Sequence, residues 1–600
     1  MYTNITPAVK NYFDKVTMTI LHIKFKQMDL YNNNNSWLDL FKIIQDEKDT
    51  SLLKKQITLL SSVGMKHITQ DNNSLSVDIK SFTRDFNSTD FMITDEALEM
   101  ELNKNSLEML NIFITNVDKK IRLTKNQAEK ILKNNKISLE TSIEKEIESC
   151  DITELLFTVY LIASKLSVLS NITYSKLKLK EIIKISDNTD ITIQTLNEMN
   201  DSDLLIVSSF IGEQKFQCDS LFNIVYKMYL SSSKSEENTE SSNNMLDINQ
   251  LFSKVSLLCK MNLLLESILL LYEKKYYIYL DKNILHESDE FQDYLLTFMN
   301  DTLQNDLPEN MTIDIQSMYK KCEGFYAYNL MEYINYILNE EKQLEVNGLA
   351  LESVPLEKLK YQIENHCDIR GESINRFIDS LLMQVVLKNN VEYKNKISVC
   401  PFVKLKDDRI IFTVPMLTQS YPLLIKRMSQ QSFTSNSRMQ KYFKKNYDEL
   451  LLDKITTLFD VKKIRYWKNV HLDKITDDSI KKLFVKGITR EFDLVFYLND
   501  NLYIVEYKNW ITTAFSVRNM LNEYKKSENF VNQHMKAINI IAENKISYQK
   551  LFGHEINQIE KIKLVMVFQN PNAFKYLNDN EEIMGCNLDH FLKLINDNVL

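Results

Sequence analysis

The sequence predicts a multidomain protein, a mostly α-helical N-terminal body followed by a smaller α/β domain. Three observations predict it: a length of 600 residues, only 8 Gly and 7 Pro, and a change of pattern near residue 400 from long helical periodicity to short β-like runs. One hydrophobic core stops growing well below this length, so two to four domains are expected. Scarce Gly and Pro favour long helices with few breaks and disfavour Gly-rich phosphate loops. No Gly-Lys-Ser/Thr triplet occurs, which excludes a Walker-type nucleotide loop. Hydrophobic residues at 44% and charged residues at 26% match ordinary globular usage and exclude a disordered or fibrous chain.

The expected domains are a mostly helical one over 1–230, a linker over 231–247, an α-rich middle domain over 248–430 that ends in a β-hairpin, and an α/β domain over 431–600. The linker rests on 231–244, SSSKSEENTESSNN, which has no apolar residue to bury; the polar tract 32–36 reads as a loop tip. Within 152–169 the residues Leu155, Leu156, Val159, Tyr160, Ala163, Leu166 and Leu169 form one helical stripe. Shorter β-like patterns occur at 74–79 and 276–280. Residues 399–415, VCPFVKLKDDRIIFTVP, predict two strands around a turn at Asp407-Asp408.

Seven scattered cysteines without a Cys-x-x-Cys pair speak against a disulfide framework or a structural zinc. The start, MYTNITPAVKNYF, has no basic stretch leading into an apolar run, so a cytoplasmic protein is expected. The most apolar window, 255–272, contains Lys260 and Glu266 and predicts a buried helix; no membrane partner is expected. From 431 to the end there are 25 Lys and Arg against 21 Asp and Glu, and upstream 48 against 60, so a net +4 module follows a −12 body. That balance is compatible with polyanion contact by the C-terminal domain.

Two apolar runs in that domain, 492–498 and 502–507, meet at Asn499, Asp500 and Asn501, a strong hairpin signal. Asp493 stands near the start of the first strand, Glu506 and Lys508 at the end of the second. Side chains alternate along a strand, so Glu506 and Lys508 share a face. A two-residue turn brings Asp493 onto that face, opposite one of them, whereas a three-residue turn would send it to the other face unless a bulge intervened. Two carboxylates are hard oxygen ligands for Mg²⁺ or Mn²⁺, which keep waters and complete their shell with phosphate oxygens. A lysine beside them can hold the attacking water or stabilise developing charge.

These residues resemble the PD-(D/E)XK, or restriction-endonuclease-like, nuclease superfamily. The match is Arg490-Glu491-Phe492-Asp493, a hairpin, then Val505-Glu506-Tyr507-Lys508; Glu491 fits the Glu that often precedes the signature Asp, and Arg490 departs from the usual Gly. The resemblance implies a central mixed sheet flanked by helices, in the order helix, strand, hairpin, helix, strand. The matching segments are 447–459, 464–472, the hairpin, 516–542 and 563–568, within a stretch of about 439–568. It implies Asp493, Glu506 and Lys508 as catalytic residues, with Asp493 and Glu506 on the metal. In such families a further carboxylate on the first helix would be Glu449, as a metal ligand, with Asp448 as substitute. A Gln on the helix after Glu-x-Lys would be Gln533. His534 beside it reads as a surface or packing residue, and Tyr507 and Trp510 as packing behind the hairpin, with Trp510 close enough to the site to touch substrate.

The implied activity is a Mg²⁺- or Mn²⁺-dependent endonuclease on nucleic acid, DNA ahead of RNA, since nothing in the sequence reads a ribose. The layout resembles prokaryotic restriction or anti-phage effectors, with residues 1–430 left for sensing, homo-oligomerisation or a protein partner. The alternatives are a non-catalytic nucleic-acid-binding or assembly protein on the same fold, and an RNA nuclease. Degenerate copies usually lose a carboxylate or the Lys, and all three are present here.

Overall fold

The computed structural model describes residues 5–27, 68–71, 74–77, 96–109, 120–179, 191–232, 247–273, 276–288, 309–340, 351–384, 392–428, 433–443, 448–472, 478–508, 517–543, 561–568, 574 and 583–597. Compactness divides the chain into two units that differ from the contiguous blocks expected above. One comprises Met1–Phe113, Lys133–Asn262 and Tyr319–Ile425, the other Ile114–Leu132, Leu263–Met318 and Lys426–Leu600. Most of the linker expected at 231–247 lies outside the described residues, and Ser231 still belongs to a helix.

The first unit is built on long helices. Helices α1 (Ile5–Gln27), α2 (Ile152–Tyr174) and α3 (Asp201–Ser231) pack together. The start of α2 is set by Asp151, whose carboxylate accepts the backbone N–H groups of Thr153 and Glu154 at 2.8 and 3.0 Å, satisfying two donors that a helix start leaves open. All seven residues of the expected α2 stripe are buried, and so are Ile162, Ser164 and Ser167 beyond it. Burial on so many sides explains the high apolar content of α2. Residues Ile152–Leu177 form the one stretch, among the described residues, long and apolar enough by length and composition to cross a membrane, and 61% of its most apolar window is buried within the chain. That is how a core helix reads.

The hairpin expected at 399–415 is present as Val403–Lys404 and Arg409–Phe412, with Asp408 in the left-handed region at φ 62°. A third strand not anticipated, Glu352–Pro355, pairs with Arg409–Phe412. The β-like patterns at 74–79 and 276–280 coincide with the strands Ser74–Val77 and Ile278–Asp281.

The second unit holds a five-stranded mixed sheet of β1 (Arg465–His471), β2 (Glu491–Leu498), β3 (Asn501–Lys508), β4 (Lys561–Phe568) and β5 (Ile583–Asn587), in the order β5-β4-β3-β2-β1. Strand β2 runs antiparallel to both β1 and β3, while β3, β4 and β5 are parallel. A parallel neighbour needs a crossover; between β3 and β4 the chain passes through α5 (Val517–Glu543), and α4 (Asp448–Lys462) precedes β1. Strand β5 and the final helix α6 (Leu588–Asn596) lie beyond the stretch of about 439–568 that the family resemblance covers.

One face of this sheet is an aromatic core. Phe496 stacks on Tyr503 across the hairpin at 4.6 Å between ring centroids, and meets Phe459 of α4 at 4.8 Å and Phe591 of α6 at 6.2 Å. Fixing that face inward fixes the register, because a one-residue slip would turn every side chain over. The turn agrees with it. Leu498 pairs with Asn501 across the two-residue turn Asn499-Asp500, whose φ values are 50° and 59°. Asn and Asp tolerate that left-handed conformation better than other residues with a Cβ, which is why this pair serves as a tight hairpin turn.

Candidate active site

The register carries the two-residue alternative through to the charged end of the hairpin. The last ladder pair between β2 and β3 is Leu494↔Val505, so one step further along Asp493 faces Glu506. There the ladder stops, and Oδ2 of Asp493 accepts the backbone N–H of Tyr507 at 2.9 Å. On the other flank the β1 residue between the pairs Phe492↔Val470 and Leu494↔Lys468 is Asn469, with φ at 49°. Regular pairing thus lapses on both sides of Asp493, and the sheet opens where the acidic residues gather.

Glu506 is 5% exposed and sits between two nitrogen groups. Lys508 Nζ pairs with Oε1, and His534 Nε2 of α5 lies 2.9 Å from Oε2. Lys508 Nζ also stands 4.1 Å from the centroid of the Phe530 ring, whose face attracts a cation. Phe530 and His534 are four residues apart on α5 and so share a face of the helix. The same period separates His534 from its neighbour Gln533. His534 is 1% exposed and reaches Glu506, whereas Gln533, about 100° round the helix, is half-buried beside the cluster and offers its backbone carbonyl to Thr489 N–H at 3.4 Å. Of the two readings given to His534, surface or packing, its burial agrees with packing. The signal that could have found it is its place on the apolar stripe of α5, with Val531, Ala537, Ile538 and Ile541, all buried.

Of the remaining expected residues, Glu449 falls in the first turn of α4, and its side chain lies outside the described residues. Trp510 lies outside them as well, while Tyr507 is 5% exposed and packs in the sheet. His471 Nδ1 and Glu491 Oε2 stand 3.6 Å apart in the next cross-strand pair, on the approach to Asp493.

The electrostatics follow from this crowding. Burial first, and then the negative charge of Glu506, push Asp493 up to about 7, against the opposing pull of Lys508, the Tyr507 N–H and His534. For Glu506 burial also acts upward, but contact with His534 and the charges of Lys508 and His534 outweigh it and hold the carboxyl below its usual range. The two carboxylates are therefore pushed apart in acidity, as at many sites of proton or metal chemistry.

Two adjacent carboxylates in a desolvated pocket, one of them destabilised as an anion by the other, form a donor set that a divalent cation would relieve. The oxygen donors suit Mg²⁺ or Mn²⁺. Among the described residues no group of three or more His, Cys, Asp and Glu side chains is placed to hold a metal ion. The arrangement is a pair of carboxylates with an imidazole at its edge.

Near the site, residues 478–490 form a folded approach to β2. The Arg490 guanidinium donates twice to the Phe484 carbonyl, at 3.0 and 2.8 Å, and Gly487 takes φ 89°. This fold exposes Lys482 and Lys486, and α5 exposes Lys525, Lys526 and Lys536. Compared with models of protein families, with curated proteins and with solved structures, the chain has no match in any of the three.

Proposed function

We propose that the second unit is a metal-dependent phosphodiesterase that cuts nucleic acid, DNA by preference, and that the unit has a PD-(D/E)XK-like fold. The observation that carries this reading is the meeting of Asp493, Glu506 and Lys508 at one opened margin of the sheet. The order α4, β1, the β2–β3 hairpin, α5, β4 supports it, being the order that the resemblance of the motif implies.

Asp493 and Glu506 would hold the ion, which when bound lowers the pKa of a coordinated water and neutralises charge on the phosphate. Every other part falls to the chain. The Tyr507 N–H fixes the Asp493 carboxylate against rotation. Lys508 is held by Glu506 on one side and by the Phe530 ring on the other, so its ammonium is already oriented before substrate arrives. Such a cation can hold the attacking oxygen and stabilise charge in the transition state without reorganising. The exposed lysines of 478–490 and of α5 would contact backbone phosphates, a contact that positions without reading sequence. The first unit would then serve sensing or assembly, as in a defence effector.

The test is incubation of the full chain with plasmid DNA, linear DNA and RNA, each in Mg²⁺, Mn²⁺ or EDTA. Metal-dependent cutting of DNA supports the proposal. Cutting of RNA alone would move the substrate, and no cutting of anything by a folded protein that binds nucleic acid would favour the non-catalytic reading.

A further inference from the structure

Strand β1 carries a row of side chains with no part in the chemistry proposed so far. Residues Lys462 to Lys468 read KKIRYWK, four cations and two aromatic rings with no acidic residue among them. Contacts with α4 assign the two faces of the strand. Tyr466 meets Phe459 of α4 at 5.7 Å and Lys468 pairs with Asp453 of α4 at 2.6 Å, so these two lie on the side of the aromatic core. Side chains alternate, so Arg465, Trp467, Asn469 and His471 lie on the other face. Asn469 is level with Asp493, and Trp467 pairs with Val495 one position along the same face. This is the face of Glu506 and Lys508. Arg465 is exposed there and Trp467 half-buried, with the guanidinium carbon 6.0 Å from the centroid of the indole ring. Strand β1 is also an edge of the sheet, with β2 its one partner among the described residues.

We propose that Trp467 and Arg465 form a stacking platform for one base of an unpaired DNA strand, so that the substrate class of the Asp493 site is single-stranded DNA or an unpaired DNA end. The inference rests on the phosphodiesterase reading of the previous subsection. The spacing supports it. Two residues of strand separate Trp467 from the level of Asp493, roughly 7 Å at about 3.3 Å per residue. That is about two steps of a stacked DNA strand at roughly 3.4 Å each, so a base on Trp467 brings a phosphate one or two nucleotides away to the carboxylates. The chemistry of the platform selects its occupant. An aromatic face takes any base, but only one whose own face is uncovered, and inside a duplex both faces are covered by neighbouring bases. The Arg465 guanidinium stands at the outer range of a cation–π contact, so a small shift admits a base between the two planes, beneath a cation that also draws phosphate. Exposed Lys463 extends the positive charge at the start of the strand. The competing arrangement is an edge strand whose charges merely block pairing with other chains. Charges do that alone, whereas a tryptophan adds apolar surface to the edge and works against it.

The experiment uses the full chain in EDTA, which stops metal-dependent cutting. The probes are a short fluorescein-labelled DNA strand of mixed sequence and the same strand annealed to its complement. By fluorescence anisotropy, Trp467→Ala should bind the single strand at least about fivefold more weakly, the low end of what one base–aromatic stack contributes, with duplex affinity unchanged. Trp467→Phe keeps a ring and should bind near the wild-type level. A strand carrying 5-iodouracil, irradiated on wild type, should cross-link to the peptide that holds Trp467, which reads the contact even if the alanine variant does not fold. Equal losses on both probes, or a cross-link confined to other peptides, would overturn the platform. Single-strand affinity unchanged in Trp467→Ala would overturn it too, and leave the β1 edge to a protein strand. Wild type that cuts duplex and single strand equally well in Mn²⁺ would overturn the substrate class and leave the phosphodiesterase standing. Binding through Trp467 with no cutting in Mg²⁺ or Mn²⁺ would overturn the phosphodiesterase reading while the platform remains.

Discussion

Asp493→Asn should make the metal-free protein more stable while destroying its proposed activity. In wild type the carboxyl is pushed from an ordinary 3.8 up to about 7. Below pH 4 it is protonated whether the chain is folded or not, and it contributes no pH dependence. Between the two values the unfolded chain gives up the proton and the folded chain keeps it, so stability falls as pH rises, and the loss is complete once pH exceeds the folded value. At about 1.4 kcal/mol per unit, a shift of this size corresponds to roughly 4 kcal/mol at most, and sharing of charge with Glu506 brings the expected gain nearer 2 kcal/mol. Asn keeps an oxygen for the Tyr507 N–H at almost the same position, so the substitution opens no cavity. The assay is urea unfolding in EDTA between pH 5 and 8, followed by tryptophan fluorescence; two of the three tryptophans, Trp467 and Trp510, belong to the C-terminal module. The variant should pull ahead of wild type progressively up to pH 7 and then run parallel to it. With saturating Mn²⁺ the order should reverse, because only wild type gains from binding. A variant less stable than wild type in EDTA at pH 7.5 would refute the reasoning, since Asp493 would then be a net stabiliser and not a group strained by its neighbours.

Other expectations are simpler. Lys508→Ala should cut the cleavage rate about 100- to 1,000-fold, the usual cost of removing one preorganised donor, while retaining Mn²⁺ binding in a titration; normal cutting would deny Lys508 its role. The double variant Lys482→Ala/Lys486→Ala should bind DNA more weakly and lower the slope of log affinity against log salt by about 2 if both touch phosphates, as read by fluorescence anisotropy; an unchanged slope would place the substrate elsewhere. In the first unit Leu166→Ala, at a fully buried position of α2, should cost about 2–5 kcal/mol in chemical denaturation, and a loss below 1 kcal/mol would mean that α2 is not packed as described.

The hairpin and its charges were legible because three local signals agreed: two β-branched and aromatic runs, an Asn-Asp turn, and alternation that fixes faces. The turn length decided between two registers, and the pairing of Leu498 with Asn501 and the φ values of Asn499 and Asp500 show that the turn has two residues. His534 was not legible, because a helix position is judged by its stripe, and a single histidine on an apolar stripe reads as packing until the strand it faces is known. Which strand α5 covers depends on the parallel crossover from β3 to β4, a long-range choice that no short window contains. The same holds for Glu352–Pro355, whose pairing with Arg409–Phe412 joins segments more than fifty residues apart. The discontinuous make-up of the two units has the same cause. Segments 114–132 and 263–318 group with the C-terminal module through contacts distant in sequence, which composition cannot report.

The local costs at the sheet margin argue for chemistry more strongly than the motif does. A hairpin built for stability alone would continue its ladder past Leu494↔Val505 and fill the place of Asp493 with an apolar residue. This chain instead ends the ladder, bends β1 at Asn469 and sets one buried carboxylate against another, all within one cluster. Each departure is unfavourable for folding on its own. Departures scattered over a protein would read as ordinary imperfection, but three that converge on one pair of carboxylates mark that margin as the place for the proposed chemistry. Local rules are expected to fail together where a binding requirement overrides them. Elsewhere in the same sheet, around Phe496 and Tyr503, turn, register and packing all agree.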